Sequence, residues 1–399
     1  MIFIISIVFA ILAPAGAWGE DLSSSTESDR IQRLEKRLEK LEAERGPGRL
    51  TPPNADPSRR FNRGISIPGA RAPRATGPSR RFNPAISVSG LLLGTHTNQG
   101  NADSDREVKT GMDIQEVEIN LSANVDHWLR ARLTLAMEET DDIEIEEFIT
   151  EALIAKNLSL RAGKFFTEFG KHNLLHTHVY PFIDQPLVNE EILGEEGLNE
   201  IGMSLDALLP LPFFSSLSLQ FLEGDNDLFA GPLNDDFLYL VHSKNLFDLT
   251  ADLTAELGGS FATGRNGAPL DSDDHTHLAG ADLTFKWKPA GRELYRTFIW
   301  QSEFMNASGV NEARGIYSLL RYQFARRWWA QGRYGFFTRK GGEDPGDQNR
   351  ISALLAFVPS EFSTLRLQYN HLDPSQGEVE HQVLLQLNFS MGSHPAHAY

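Results

Sequence analysis

The sequence predicts an all-β fold: a transmembrane antiparallel β-barrel of about sixteen strands, preceded by a short helical coiled coil. Apolar and polar residues alternate one for one in segment after segment between residues 86 and 390. Such alternation is typical of a strand with one apolar and one polar face. No long helical pattern is present to cover the apolar faces, so lipid is the simplest solvent for them. A soluble β-sandwich with this many strands in one domain would be unusual.

The composition agrees with a barrel and excludes several other classes. The 399 residues have a mean hydropathy of −0.31, and no run of 18 apolar residues follows the N-terminus, which argues against a helical membrane protein. The chain has no cysteine, so disulfides and Cys-based metal sites are excluded. The net charge of −17 argues against nucleic acid as a partner.

The N-terminus has the pattern of a signal peptide. Residues 1–17 form an apolar stretch that ends in Ala-Gly-Ala, which resembles a cleavage site for export. No Lys or Arg precedes the stretch, so a single anchor helix is the alternative. Cleavage would release a mature chain for export to the bacterial outer membrane.

Residues 18–45 are predicted to form a periplasmic helix. Ile31, Leu34, Leu38 and Leu41 follow the 3-4-3 spacing of a coiled-coil seam. A helix this short is unstable alone, so we expect it to pair with its copies in a homotrimer. A single solvated helix is the alternative.

Residues 46–85 read as a linker rich in Pro, Gly and Arg. The sequence Pro-Ser-Arg-Arg-Phe-Asn occurs at residues 57–62 and again at residues 78–83. We interpret the repeat as a duplicated linker. An electropositive element that contacts peptidoglycan or lipid phosphates is the alternative.

The barrel is predicted to occupy residues 86–399. Its candidate strands are 86–96, 113–124, 127–138, 144–155, 158–165, 199–208, 215–223, 236–242, 247–261, 277–288, 294–305, 313–324, 326–338, 349–358, 361–371 and 379–390. The even count is typical of bacterial barrels. The Glu-rich stretch of residues 138–147, which overlaps the start of the fourth candidate strand, is interpreted as a solvated hairpin loop. A patch that binds Ca²⁺ or the ions of lipopolysaccharide is the alternative.

The connections differ in length in the way that a barrel requires. Short connections at residues 325–326 and 359–360 predict periplasmic turns. Longer polar connections at residues 98–110, 264–275 and 340–349 predict extracellular loops.

Residues 166–198 are the long segment that does not alternate. A loop of this length inside a compact domain is usually functional. In a barrel it can either cover the mouth or fold inward and narrow the pore. We predict a constriction-type loop.

Sixteen strands with a long, partly helical loop after strand five resemble the general trimeric porins, in which that loop forms the constriction. The coiled coil before the barrel resembles the phosphate-selective porins and the siderophore porins that work without TonB. Three stretches are similar to porin-like proteins labelled zinc-regulated outer-membrane receptors: RAGKFFTEFGKHN, HTHVYPFIDQPLV and LQLNFSMGSHPAHAY. The resemblance implies contact with outer-membrane lipid and lipopolysaccharide, a homotrimer, and passage of small solutes. Residues 18–85 are too few for the plug of a TonB-dependent receptor.

The charged residues at lumen positions and on the long loop are candidates for the pore lining. They are Arg130, Arg132, Glu116, Glu118, Arg161, Lys164, Glu190, Glu191, Glu195 and Glu196. Such a mixed lumen with an acidic loop favours cations or neutral solutes, whereas a phosphate channel would show a ladder of Lys and Arg.

Histidines and carboxylates cluster in two loops where a zinc ion could bind. If residues 168–176 are helical, two of these histidines lie one turn apart on one face. The candidate metal ligands are His172, His176, His178, Asp184, Asp273, His275 and His277. The alternative is that these are ordinary polar loop residues, and no other cofactor is expected.

The predicted function is an outer-membrane porin that passes small solutes or ions by diffusion through a charged lumen narrowed by an inward loop. No Gly-x-Ser-x-Gly motif occurs, and no catalytic residues are predicted. A TonB-independent receptor for a metal ion or metal chelate, such as zinc or a siderophore, is the alternative. A structural or adhesive barrel with a plugged lumen would show no conductance.

Overall fold

We describe a computed structural model of the chain. The described residues are 84–98, 110–138, 143–226, 228–229, 237–266, 275–289, 295–309, 312–341, 346–375 and 377–392. The predicted signal peptide, the predicted coiled coil and nearly all of the predicted linker lie outside them.

The described residues form sixteen antiparallel strands that close into one barrel. Each strand pairs with its neighbours in sequence, and the first strand pairs with the last. The predicted fold class and strand number are therefore confirmed. The strands are β1 (Ala85–Thr97), β2 (Gly111–Asn124), β3 (Leu129–Met137), β4 (Glu144–Ala155), β5 (Leu158–Phe166), β6 (Asn199–Leu208), β7 (Phe214–Leu222), β8 (Leu238–Asp248), β9 (Leu253–Arg265), β10 (His275–Trp287), β11 (Phe298–Ser308), β12 (Glu312–Ala325), β13 (Trp328–Lys340), β14 (Gly346–Ser360), β15 (Ser363–Pro374) and β16 (Glu380–Gly392).

The predicted strand of residues 247–261 covers the end of one observed strand, a turn and most of the next strand. Strand β8 ends at Asp248 and β9 begins at Leu253. In the turn between them, the N–H groups of Leu249 and Thr250 donate to the carbonyl of Leu253 over 2.9 and 3.1 Å. The alternation continues across this hairpin with the same parity, so periodicity alone does not locate the turn.

The two faces of the barrel differ as the alternation predicts. On β15, Leu365 and Leu367 are exposed, whereas Arg366, Gln368 and Asn370 between and beside them are buried. Apolar side chains therefore face outward and polar ones face the lumen, which is the arrangement of a barrel embedded in lipid.

Short and long connections join strands at opposite ends of the barrel. The β12–β13 and β14–β15 turns lie at the end where β1 begins and β16 ends. The strand ends that the longer β1–β2, β9–β10 and β13–β14 connections join lie at the opposite end. This distribution agrees with the predicted periplasmic turns and extracellular loops.

The segment 166–198, which we call the inner segment, contains short 3₁₀ turns at His172–Leu174 and Thr177–Val179 and one helix, α1 (Leu187–Leu193). No helix in the described part of the chain is long and apolar enough to cross a membrane.

A buried apolar cluster joins the inner segment to the barrel wall. Phe169 and Leu187 are almost fully buried and belong to this cluster. Glycines on the wall allow the close approach. A Cβ atom on Gly280 of β10 would lie 2.8 Å from the Phe169 ring, and one on Gly335 of β13 would lie 3.3 Å from the Leu187 Cβ.

Candidate functional site

The inner segment is hydrogen-bonded to side chains that face the lumen. Arg366 of β15 donates to the carbonyl of Tyr180 over 2.7 Å, and Gln368 accepts from the N–H of Ile183 over 2.7 Å. Strand β15, which carries both side chains, lies far around the barrel from β5 and β6, which the segment connects. Residues 166–198 therefore run across the interior at this level.

Asp184 pairs with two arginines from the wall. Its carboxylate lies 2.6 Å from Arg333 and 3.4 Å from Arg350, and it accepts from the side-chain amide of Gln368 over 2.6 Å. Arg350 also binds Glu190 at 2.6 Å. Burial raises the pKa of Asp184, but the two guanidinium groups outweigh it and hold that pKa below its ordinary value. Asp184, predicted as a metal ligand, instead attaches the segment to β13 and β14.

His176 and His178 meet carboxylates on β2 and β4. His178 Nδ1 lies 2.8 Å from Glu118, while His176 Nδ1 lies 3.0 Å from Glu146 and its Nε2 lies 3.3 Å from Glu147. Burial lowers the pKa of His176, but its hydrogen bonds to Glu146 and Glu147 outweigh this and hold the pKa well above its ordinary value.

A β-bulge explains why two consecutive glutamates reach His176. In the β3–β4 pairing, Glu147 lies opposite Thr134 and Ile145 lies opposite Leu135, so Glu146 is the extra residue. A bulge of this kind redirects a side chain locally. Residues 144–147, which the predicted strand 144–155 includes and the predicted hairpin loop 138–147 overlaps, belong to β4, and Glu146 and Glu147 contribute to the site.

Glu116 completes this group on the lumen face of β2. It lies two residues from Glu118, so both side chains point inward. Glu116 is only 6% exposed, and its Oε1 atom makes no hydrogen bond within the described residues. Ligand atoms of Glu116, Glu118 and His178 lie within 4.8 Å of one another.

His172 lies apart from the other two histidines. Its ring packs 4.5 Å from that of Tyr180 and 6.3 Å from that of Tyr317. Burial, with a smaller contribution from Arg333, lowers the pKa of His172 to about 3. Residues 168–176 do not form the helix that would place His172 and His176 on one face, because only a short 3₁₀ turn forms there.

Lys164 was predicted to line the pore but faces outward. It lies opposite Phe148 of β4 and Ile201 of β6, and both of those side chains are more than half exposed. Directly paired residues share a face of the sheet. Lys164 is three residues from the inward-facing Arg161, so the two must point to opposite faces.

The second predicted metal cluster does not form a lumen site. His275 and His277 are exposed at the start of β10, and the His277 ring stacks on Phe261 at 6.0 Å. These two side chains lie on the outward face, as the strand's alternation requires. Asp273 lies outside the described residues.

The other predicted pore-lining residues occupy the lumen or the segment. Arg132 binds Glu147 at 3.1 Å, and Arg161 binds Asp206 at 2.7 Å and Glu168 at 2.6 Å. Arg130 is inward and exposed at the start of β3. Glu191 accepts from the side chain of Gln348 over 2.9 Å, and Glu195 and Glu196 are exposed after α1.

Sequence reasoning missed the basic part of the wall. Arg333, Arg350 and Arg366 lie at inward positions of three neighbouring strands, and the inner segment contacts all three. The sequence pattern could have identified these three arginines as inward-facing, because each occupies a polar position of an alternating strand. Their pairing with Asp184 or the segment backbone depends on the path of the segment, which no periodicity encodes.

Comparisons of sequence find one distant relative. No protein-family model matches the chain. An uncharacterised protein of Aquifex aeolicus is 26% identical over 349 residues, which are 76% of this chain and 73% of that protein.

Solved structures with a similar fold are outer-membrane proteins. OprB of Pseudomonas putida matches with a TM-score of 0.59 and 9% identity, over 78% of this chain and 95% of that one. An anion-selective porin from Comamonas acidovorans matches with a TM-score of 0.56 and 9% identity, over 77% and 100%. The outer-membrane channel DcaP of Acinetobacter baumannii matches with a TM-score of 0.52 and 12% identity, over 78% and 97%. The barrel, with its apolar exterior, therefore has the fold of bacterial outer-membrane porins.

Proposed function

We propose that the protein is an outer-membrane channel through which small solutes diffuse, and that the inner segment narrows its lumen. The contacts of Asp184 with Arg333 and Arg350 carry this proposal, because they join the segment to side chains that face the lumen. The segment sets the size limit, and the charges around it set the local ion concentration.

The exposed charges on the inner segment favour cations or neutral solutes. The side chains of Asp184 and Glu190 are 24% and 31% exposed, whereas those of Arg333 and Arg350 are 2% and 10% exposed. The segment thus covers the guanidinium groups and presents its carboxylates to water. We propose that these more accessible carboxylates outweigh the covered arginines at the narrow region and raise the local concentration of cations there.

We also propose a homotrimer in outer-membrane lipid and lipopolysaccharide. The outward faces of β5–β9 support it, because they form an apolar groove of about 480 Å³ with Met203, Phe221, Tyr239 and Phe261 in its lining. Lipid or a neighbouring subunit could cover such a surface. Chemical cross-linking of the purified protein in detergent tests the trimer, and a single monomer band would contradict it.

A receptor for a metal ion or metal chelate is the second candidate function. The approach of His178 to Glu116 and Glu118 favours it, because imidazole with carboxylates is a ligand set for divalent metals. A receptor predicts saturable binding, whereas a diffusion channel predicts conductance without a binding step.

Conductance of the refolded protein in planar bilayers tests the channel. We expect stepwise openings, and a reversal potential in a KCl gradient that favours K⁺. Glu190→Gln should reduce this preference, because Glu190 is an exposed carboxylate of the segment. Glu312→Gln is the matched control, because Glu312 forms an exposed pair with Lys340 at the end of the barrel. A folded barrel without conductance would exclude the channel and favour a plugged barrel or a receptor.

A further inference from the structure

Three potential metal ligands converge where the inner segment meets β2. Glu116 and Glu118 project from one face of the strand, and His178 projects from the segment. His178 Nδ1 is 2.8 Å from Glu118, and the ligand atoms of all three residues lie within 4.8 Å of one another. Two ligands each about 2.0 Å from a tetrahedral zinc ion lie about 3.3 Å apart, so small side-chain rotations would bring all three to one ion.

The charges around the site call for a cation. His176 contacts Glu146 and Glu147 and also lies 3.5 Å from Glu118, and Arg132 pairs with Glu147. Glu116 has no ion pair with Lys or Arg among the described residues. A buried carboxylate oxygen without a partner is costly.

We propose that Glu116, Glu118 and His178 bind one divalent transition-metal ion of the zinc class, and that this ion ties the inner segment to β2. The inference deepens the proposed function, on which it rests for the role of the segment, by naming an ion that the narrowed lumen holds. Three protein ligands leave a fourth position for water, as in open zinc sites.

The ligand types select the class of ion. Ca²⁺ and Mg²⁺ bind oxygen ligands almost exclusively, whereas an imidazole nitrogen together with carboxylates suits zinc and its neighbours in the first transition row. Without sulfur ligands the site favours these ions over soft metals such as Cu(I).

Zinc titration of the full-length protein tests the site. The protein is refolded in detergent, treated with a chelator and titrated with Zn²⁺ in a calorimeter, and Co²⁺ is used in parallel because its visible absorption reports the ligand geometry. We expect one equivalent to bind, with a Co²⁺ spectrum of a four- or five-coordinate site. His178→Ala and the isosteric Glu116→Gln should each weaken zinc binding at least tenfold, by analogy with losses seen when metal-site residues are removed.

His277→Ala is the matched control, because His277 lies on the outward face, where its Nδ1 is 2.9 Å from the Thr263 hydroxyl. It should bind zinc as the wild type does. Far-UV circular dichroism checks that each variant folds, and the wild-type Co²⁺ spectrum decides the matter if a variant does not. Absence of zinc binding to the wild type, an octahedral Co²⁺ spectrum, or a zinc affinity in both ligand variants equal to that of the wild type would overturn the proposal.

A negative result in the zinc-binding experiment can be distinguished from a negative result in the bilayer experiment. Zinc binding without conductance would retain this site and exclude the channel. Conductance without zinc binding would retain the channel and exclude this site.

Discussion

At the residue scale, the contact that matters most for the inner segment is the one that Asp184 makes with two wall arginines. Arg333 is almost fully buried, and its guanidinium also lies 4.6 Å from the centre of the Phe182 ring. Burying a charged group costs a large desolvation free energy unless a partner of opposite charge is present. Asp184 supplies that partner from the segment, so the segment and the wall depend on each other.

Asp184→Asn should detach the inner segment from this wall. The change leaves Arg333 buried without its carboxylate, at a cost of about 3 kcal/mol, the lower end of the range for a broken buried pair because Asp184 is partly exposed. We expect a larger single-channel conductance and a lower thermal midpoint by circular dichroism. Glu312→Gln, which removes an exposed pair worth at most about 1 kcal/mol, should change neither quantity. An unchanged conductance in Asp184→Asn would show that other contacts hold the segment.

At the element scale, the alternation of apolar and polar residues predicted the strands well. It predicted which residues face the lumen only where every second residue was assigned to the same face of the strand. The pattern placed Glu116 and Glu118 on one face of β2, and the structure agrees. Lys164 was assigned to the lumen although it lies three residues from Arg161, which a strict count of two excludes. The bulge at Glu146 breaks the parity and could not be read from the sequence.

The inner segment resisted prediction for a different reason. It has neither the period of a strand nor that of a long helix, and its path is fixed by contacts with strands distant in sequence. Leu175 (φ −97°, ψ 136°) and His176 (φ −77°, ψ 153°) are extended between the two 3₁₀ turns, so no helix continues from His172 to His176. Histidine spacing therefore identified the correct segment but grouped His172 with the wrong partners.

Gly280→Ala tests how closely the segment packs against β10. The added Cβ would lie 2.8 Å from the buried Phe169 ring, so the ring must move or the strand must strain. We expect a loss of about 1–3 kcal/mol in stability, measured as a shift of the urea unfolding midpoint in detergent. Gly259→Ala on β9 is the matched control, because a Cβ there has no neighbour within 4 Å. Equal midpoints for the two variants would contradict the close packing.

At the scale of the whole molecule, the barrel has the reverse polarity of a soluble protein, and apolar residues also fill part of its interior. Its exterior is apolar, its wall is lined with charges, and a second apolar cluster forms in the interior where the inner segment packs. The exterior and the strand number follow from alternation, because each strand carries the signal locally. The interior cluster does not, because residues such as Leu240, Leu278 and Met305 occupy inward positions that a water-filled lumen would leave polar.

The ionic strength of the solution should control the selectivity of the whole channel. If fixed charges select the ions, their reach is the Debye length, which is about 10 Å at 0.1 M salt and about 3 Å at 1 M. The segment's exposed carboxylates, Asp184 and Glu190, would then act across the narrow region only at low salt. We expect the reversal potential under a fixed tenfold KCl gradient to favour K⁺ strongly when the dilute side is near 0.01 M and weakly when it is near 0.1 M. A K⁺ preference that does not change with salt concentration would instead indicate selection by direct contact between the ion and its ligands. That result would favour a binding site in the lumen over selection by fixed charges.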